Sequence, residues 1–283
     1  MILPDYFAKM TELIYEQQLT AVNSTPAARF QAVSATKQAC HTLNRTDKRR
    51  LLTFLYERNL ISIPNPIVPM GEADLTNADL RGIAMPYADL SRTTLDKIDL
   101  GGADLHGCHF GYASLRDAKL SGVNLRDTDL RRVNLRRARL RHANLIGAQC
   151  ASSDWRGADA SFAFLQWINL AYAHLDYCIL EGADLSKAFL SRAHLAAVQG
   201  KGANLTDANL TGASLKDADF SAATFMRADL SECDLERTNL RGANMVSAKV
   251  SADGLSQAYL DAATVLPNGH TYDPERPLAD QLA

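Results

Sequence analysis

Residues 201–220 read KGANLTDANLTGASLKDADF, four five-residue units in which Ala, then Asp, Asn or Ser, then Leu or Phe recur in fixed order. Working outward, an apolar residue stands at every multiple of five from Leu75 to Leu260, with Gly200 the exception, giving thirty-eight consecutive units without insertion. Two positions before each comes a small or β-branched residue (Ala73, Ala78, Ile83, Ala88, Thr93, Ile98), and only Asp253 falls outside that class. A period of five matches neither the 3.6 of a helix nor the 2 of a strand, so the segment reads as a solenoid of stacked units.

If five residues make one side of a square coil, the chain closes a turn every twenty residues and stacks on the coil below at about 4.8 Å, giving a rod roughly 45 Å long. The central residue then points to the axis, where each burial contributes roughly 2 kcal/mol before chain entropy is subtracted. The second inward slot lies near a corner and admits only small groups. Asp or Asn before the central residue fits a turn, because its short side chain can accept from neighbouring backbone amides.

These units resemble the pentapeptide-repeat family, whose motif is A(D/N)LXX, over residues 73–262. The resemblance implies a mainly β fold, the right-handed quadrilateral β-helix, and brings no general catalytic residues.

A rod of this kind exposes unpaired backbone at both ends and needs caps. Apolar spacing at Phe7, Met10, Leu13 and Ile14, Pro26 early in residues 25–43, and DKRRLLTFLYERNL at 47–60 after Thr46 as N-cap predict three short helices. The division expected is an N-terminal helical cap over 1–60, a proline-containing connector over 61–72 held extended by its three prolines, the repeats over 73–262, and a C-terminal cap and tail over 263–283. Leu266 and Tyr272 are expected to fold over the last coil. KRRLLTFLYERNLI at 48–61 is also similar to segments preceding pentapeptide repeats in some multidomain proteins, a resemblance that implies no activity.

The chain has 30 Lys and Arg against 32 Asp and Glu, so its overall field steers neither phosphate nor anionic lipid. The first twenty residues carry acidic groups and no unbroken apolar run, so neither signal peptide nor membrane span is expected, and a cytoplasmic location follows as the expectation. Cys108, Cys150, Cys178 and Cys233 fall on inward slots with no CxxC pair, which predicts core thiols rather than disulfides or zinc. There is no GxxxxGK[ST], GxSxG or HExxH, so no enzyme activity, cofactor or metal is expected. His174 and His194, above Asp154, owe their spacing to the repeat itself.

Two surface features remain. Arg116, Arg136 and Arg156 form a column between Asp96 and Asp176, and Arg131, Arg132, Arg137, Arg139 and Arg141 complete a basic girdle with Asp117, Asp127 and Asp129 among them. Phe162, Phe164, Trp167, Tyr172, Tyr177 and Phe189 occupy outward slots that are elsewhere mostly polar. The girdle reads as a solvated face with interspersed ion pairs or as a docking surface for an acidic protein; the aromatics shield corners or form an interaction hot spot. The leading functional reading is a non-enzymatic interaction or scaffold module that binds another protein, as a monomer or end-to-end dimer.

One alternative, carried by the family resemblance, is DNA mimicry directed at a type II topoisomerase, but residues 71–262 hold 24 acidic and 21 basic residues with a basic middle, a poor copy of a phosphate backbone. The other is nucleic-acid binding by the girdle with Lys48, Arg49 and Arg50, disfavoured because no aromatics interleave with the arginines.

Overall fold

A computed structural model describes residues 2–21 and 24–282. Three helices open the chain: α1 (Leu3–Tyr15), α2 (Pro26–Thr42) and α3 (Arg45–Glu57). Thr25 caps α2, its Oγ1 accepting from Ala28 N at 3.1 Å, with Pro26 in the first turn where its missing N–H costs nothing. The cap of α3 is Asn44 rather than Thr46: its Oδ1 accepts from Thr46 N and Asp47 N at 3.0 and 2.9 Å, which makes α3 begin two residues earlier than expected. Tyr6, Met10, Leu13, Leu51, Leu52 and Leu55 are fully buried among these helices, and the Tyr6 hydroxyl meets Thr36 Oγ1 at 2.9 Å.

From residue 71 each unit repeats one local pattern. The carbonyl of the central residue accepts from the amide three residues on, as Leu140 O does from Ala143 N at 2.9 Å, and the residue two after the centre takes a positive φ, the signature of a type II turn. The Asp or Asn before the centre accepts from the amide two residues later, as Asp129 Oδ1 does from Arg131 N at 3.1 Å, so the turn is held from both sides. The same Asp or Asn is the residue that bridges to the next coil. Parallel bridges join residues twenty apart from Asp74↔Thr94 to Asn239↔Tyr259, so four units make each coil. Among the described residues these contacts are single bridges rather than strands.

Leu130, Leu135 and Leu140 are fully buried, as the five-residue register demands, and the second inward slot holds Ala, Cys, Val, Ile, Ser or Thr throughout the regular coils. Trp155 is fully buried between Cys150 and Ala160 along the chain, its Nε1 donating to Ser153 Oγ at 2.8 Å.

The ends depart from the expectation. Residues 61–70 are no free-standing spacer: Ser62 pairs antiparallel with Ala88, Ile63 N donates to Tyr87 O at 2.9 Å, and Ile61, Val68 and Met70 are buried. At the other end the repeat breaks before Leu260. Helix α4 (Ala252–Ser256) replaces a unit at the one position, Asp253, where an inward slot would have taken a carboxylate; Ser251 caps it by accepting from Gly254 N. Beyond it one residue is inserted, so Asn244 bridges Val265, twenty-one positions on, and Leu266 takes the buried central slot. Leu266 N donates to His270 O and Tyr272 N to Thr264 O, closing the last coil with an antiparallel return before α5 (Leu278–Leu282).

Candidate functional site

The outward side chains follow from the register, since each position in a coil stacks on the one twenty residues away. The six aromatic residues singled out in the sequence are exposed, between 41% for Phe162 and 69% for Tyr177. No two share a column, because Phe162, Phe164, Trp167, Tyr172, Tyr177 and Phe189 stand at different positions of the twenty-residue coil. Each instead meets its own column neighbours. Phe162 stacks on His142 with centroids 5.5 Å apart and lies against Gly182, Lys187 Nζ sits 4.6 Å over Trp167, and Arg192 covers Tyr172 at 6.0 Å.

Most of the basic girdle is internally neutralised. Arg131 grips Asp129 with Nε and Nη2 at 2.8 and 2.7 Å, and Arg156 grips Asp154 at 2.9 and 2.6 Å, both within one unit. Arg137 reaches down one coil to Asp117 at 2.7 and 2.9 Å. Arg136 lies 3.9 Å from Asp154 and Arg141 3.5 Å from Asp159. The expected Arg116–Arg136–Arg156 column is present in register, but Arg156 turns to its own carboxylate and Arg116 meets Asp96 only through its backbone amide, at 3.1 Å. Arg139 makes no ion pair among the described residues. Hydrogen bonds from Arg131 hold the Asp129 carboxyl below the usual carboxylate range against its partial burial, and Arg137 does the same for Asp117.

The structure adds members the sequence reading did not single out. Tyr112 stands between Arg92 and Arg132, whose guanidiniums lie 5.3 and 5.5 Å from its ring centroid, in the same column as Tyr172 and Arg192. The signal for it in the sequence is the twenty-residue spacing of Arg92, Tyr112 and Arg132. Lys48 and Arg49 leave the nucleic-acid reading: Lys48 is buried with Nζ 3.3 Å from Thr76 O, and Arg49 donates to Arg81 O at 2.7 Å, so α3 uses its basic face to satisfy carbonyls of the first coil.

His174 and His194 stack with centroids 4.6 Å apart, yet among the described residues no group of three or more His, Cys, Asp or Glu is placed to hold a metal ion. Cys108, Cys150 and Cys178 are fully buried, Cys233 is partly so, and all are free thiols. Burial pushes Cys108 and Cys233 up to about 12 and Cys150 and Cys178 upward as well, which removes them from nucleophilic chemistry at neutral pH. No helix among the described residues is long and apolar enough to cross a membrane.

A family model described as pentapeptide repeats matches eight copies across residues 73–111, 98–137, 134–170, 163–198 and 203–242. Among solved structures, the chain is similar to HetL, a pentapeptide repeat protein involved in heterocyst differentiation regulation from the cyanobacterium Nostoc sp. strain PCC 7120. That match has 29% identity and a TM-score of 0.42 and covers 79% of this chain and 98% of HetL. It is also similar to QnrB1, a plasmid-mediated fluoroquinolone resistance protein, at 18% identity and a TM-score of 0.43 over 66% of this chain and 88% of that one. A third is a pentapeptide repeat protein of the Arabidopsis thaliana thylakoid lumen, at 26% identity and a TM-score of 0.29 over 35% of this chain and 66% of that one. Comparison with curated proteins finds no match.

Proposed function

The chain belongs to the pentapeptide-repeat family, and we propose that it is a non-enzymatic protein-binding rod, a right-handed four-sided β-helix whose columns display arginines and aromatics to a protein partner. In this reading residues 1–60 cap the lower end and 61–72 dock that cap on the first coil. Residues 73–262 carry the display surface, and 263–283 close the top.

The observation that supports it is the exposure of Phe162, Phe164, Trp167, Tyr172, Tyr177 and Phe189 on a rod whose outward slots are mostly polar. Large aromatic surface in water beside guanidinium groups is the composition of binding hot spots. In this reading the outward surface of the rod is the working part.

The test is affinity capture with the immobilised full chain and with a Trp167→Ser, Tyr172→Ser, Tyr177→Ser triple variant. A partner retained by the wild type and lost by the variant supports the reading; identical capture by both removes the aromatic surface from it.

A further inference from the structure

Six arginines stand at the left-handed corner position of their unit: Arg92, Arg132, Arg137, Arg192, Arg227 and Arg237. Their surroundings divide them. Arg137, Arg227 and Arg237 each have an aspartate twenty residues earlier, and each is clamped by it through two hydrogen bonds: to Asp117 at 2.7 and 2.9 Å, to Asp207 at 2.6 and 2.9 Å, and to Asp217 at 2.6 and 2.8 Å. Arg92, Arg132 and Arg192 belong to a single column; tyrosine takes the place of aspartate one coil below Arg132 and Arg192, while below Arg92 stands Glu72, which is bonded to Lys37. Their guanidiniums lie on Tyr112 (from both sides) and on Tyr172, and among the described residues none of the three makes an ion pair or donates a side-chain hydrogen bond.

A guanidinium over a ring keeps its charge and all five N–H donors, and the attraction of the ring face favours its position there. The column therefore holds a row of unsatisfied forks, whereas the columns of Arg137, Arg227 and Arg237 have spent theirs. The row is bounded. Glu72 lies one coil below Arg92; it bonds Lys37 at 2.8 Å, and the Arg92 charge adds to that of Lys37 in holding its carboxyl down, while Gly212 and Glu232 follow Arg192 above.

We propose that this column, Arg92–Tyr112–Arg132–Ser152–Tyr172–Arg192, is a docking strip for an extended acidic segment of a protein partner. The proposal rests on the protein-binding reading above and specifies the partner's chemistry. Arg92 and Arg132 are two coils apart, about 10 Å, and Arg192 is three coils further, about 14 Å, so the strip is about 24 Å long. An extended chain advances about 3.3 Å per residue, so carboxylates three residues apart and then four residues further on match the three forks over about eight residues. The exposed parts of the two tyrosines, which are 55% exposed at Tyr112 and 53% at Tyr172, accept apolar side chains from the intervening residues. Duplex DNA fits less well, because its closely and evenly spaced phosphates would also meet Asp89, Asp129 and Asp154 on the two flanking sides.

The experiment measures binding of a fluorescein-labelled oligoglutamate peptide to the full chain at low ionic strength by fluorescence anisotropy. An Arg92→Gln/Arg132→Gln variant is expected to weaken binding on the order of tenfold. A Lys201→Gln/Lys249→Gln variant, which removes the same charge elsewhere on the rod, should change it by less than about twofold. Arg132→Lys, keeping charge but losing the planar fork, should fall between them. All these side chains are exposed, and far-UV circular dichroism checks that each variant keeps its fold. Absence of wild-type binding overturns the proposal, as does equal loss in the two double variants. So does a DNA duplex that binds more tightly than the peptide through the same two arginines. If the arginine variant captures its protein partner normally while the aromatic triple variant does not, the strip is wrong and the protein-binding reading survives.

Discussion

The ring of Phe220 occupies the space that a Cβ on Gly200 would need, one coil below it. Gly200 is the single central slot in the repeats without an apolar side chain, and Phe220 is buried completely and packs edge-on against Phe225 at 5.5 Å. The irregular unit and the oversized residue twenty positions later are therefore one packing solution shared between two coils. Restoring the repeat with Gly200→Leu is expected to destabilise the fold by about 1–3 kcal/mol through overpacking. Gly200→Leu/Phe220→Leu should recover most of that loss, and urea unfolding of the two single variants and the pair measures the coupling.

The second inward slot is equally strict. Ala183 is buried at a corner, and Ala183→Leu is expected to lower stability by about 1–3 kcal/mol, because the coils above and below cannot separate without breaking the 2.9–3.0 Å backbone ladder around it. The same substitution at exposed Ala222 should be within about 0.5 kcal/mol of wild type in the same denaturation experiment.

Acid should unfold the rod through its clamped carboxylates. Asp117 and Asp129 have folded-state pKa values depressed by Arg137 and Arg131, and Arg81 brings Asp79 to about 2. A depressed folded pKa contributes stability that is complete above the unfolded value of about 3.9 and is lost as pH falls through the folded value. Thermal melts should therefore hold steady above about pH 4 and drop between there and pH 2, and Asp129→Asn should show a smaller drop than wild type.

The thiols report on the integrity of the column. With Cys40, Cys108, Cys150 and Cys178 buried and the Cys40 and Cys108 thiols pushed up to about 12, a disulfide reagent at pH 8 should react slowly with the folded chain. Titration in denaturant should find all five at once. Rapid native labelling of Cys150 would mean that the coils around Trp155 open.

Charge also bears on the DNA-mimic reading. Residues 71–262 hold 24 acidic and 21 basic residues, and among the described residues the corner arginines Arg92, Arg132 and Arg192 make no ion pair, so gyrase supercoiling is expected to proceed unchanged in the presence of the purified chain. Inhibition at stoichiometric protein would require an acidic face that the column chemistry does not supply.

What the sequence determined is whatever lies within one unit. The turn bond from residue i to i+3, the Asp or Asn that caps it, and the inward direction of Leu130 and Ala183 all involve groups a few residues apart, where covalent connection places partners in reach whatever the rest of the chain does; Asp253 stood out of its class, but the helix that replaces its unit was not expected. The same holds for the Asp129–Arg131 clamp, although its carboxylate was read as one of several interspersed charges rather than as a fixed partner. The twenty-residue column was legible once a square coil was assumed, as with Arg116, Arg136 and Arg156, but tertiary structure decided that closure and which side chains of a column meet. A period of five does not state how many units close a circuit; only the closed coil makes Asp117 the neighbour of Arg137, Tyr112 the neighbour of Arg132, and Phe220 the occupant of the gap at Gly200. Whether an arginine is neutralised or left open to a partner is thus fixed by a residue twenty positions distant, because ion pairs and ring stacking act over a few ångströms of space and are indifferent to separation along the chain.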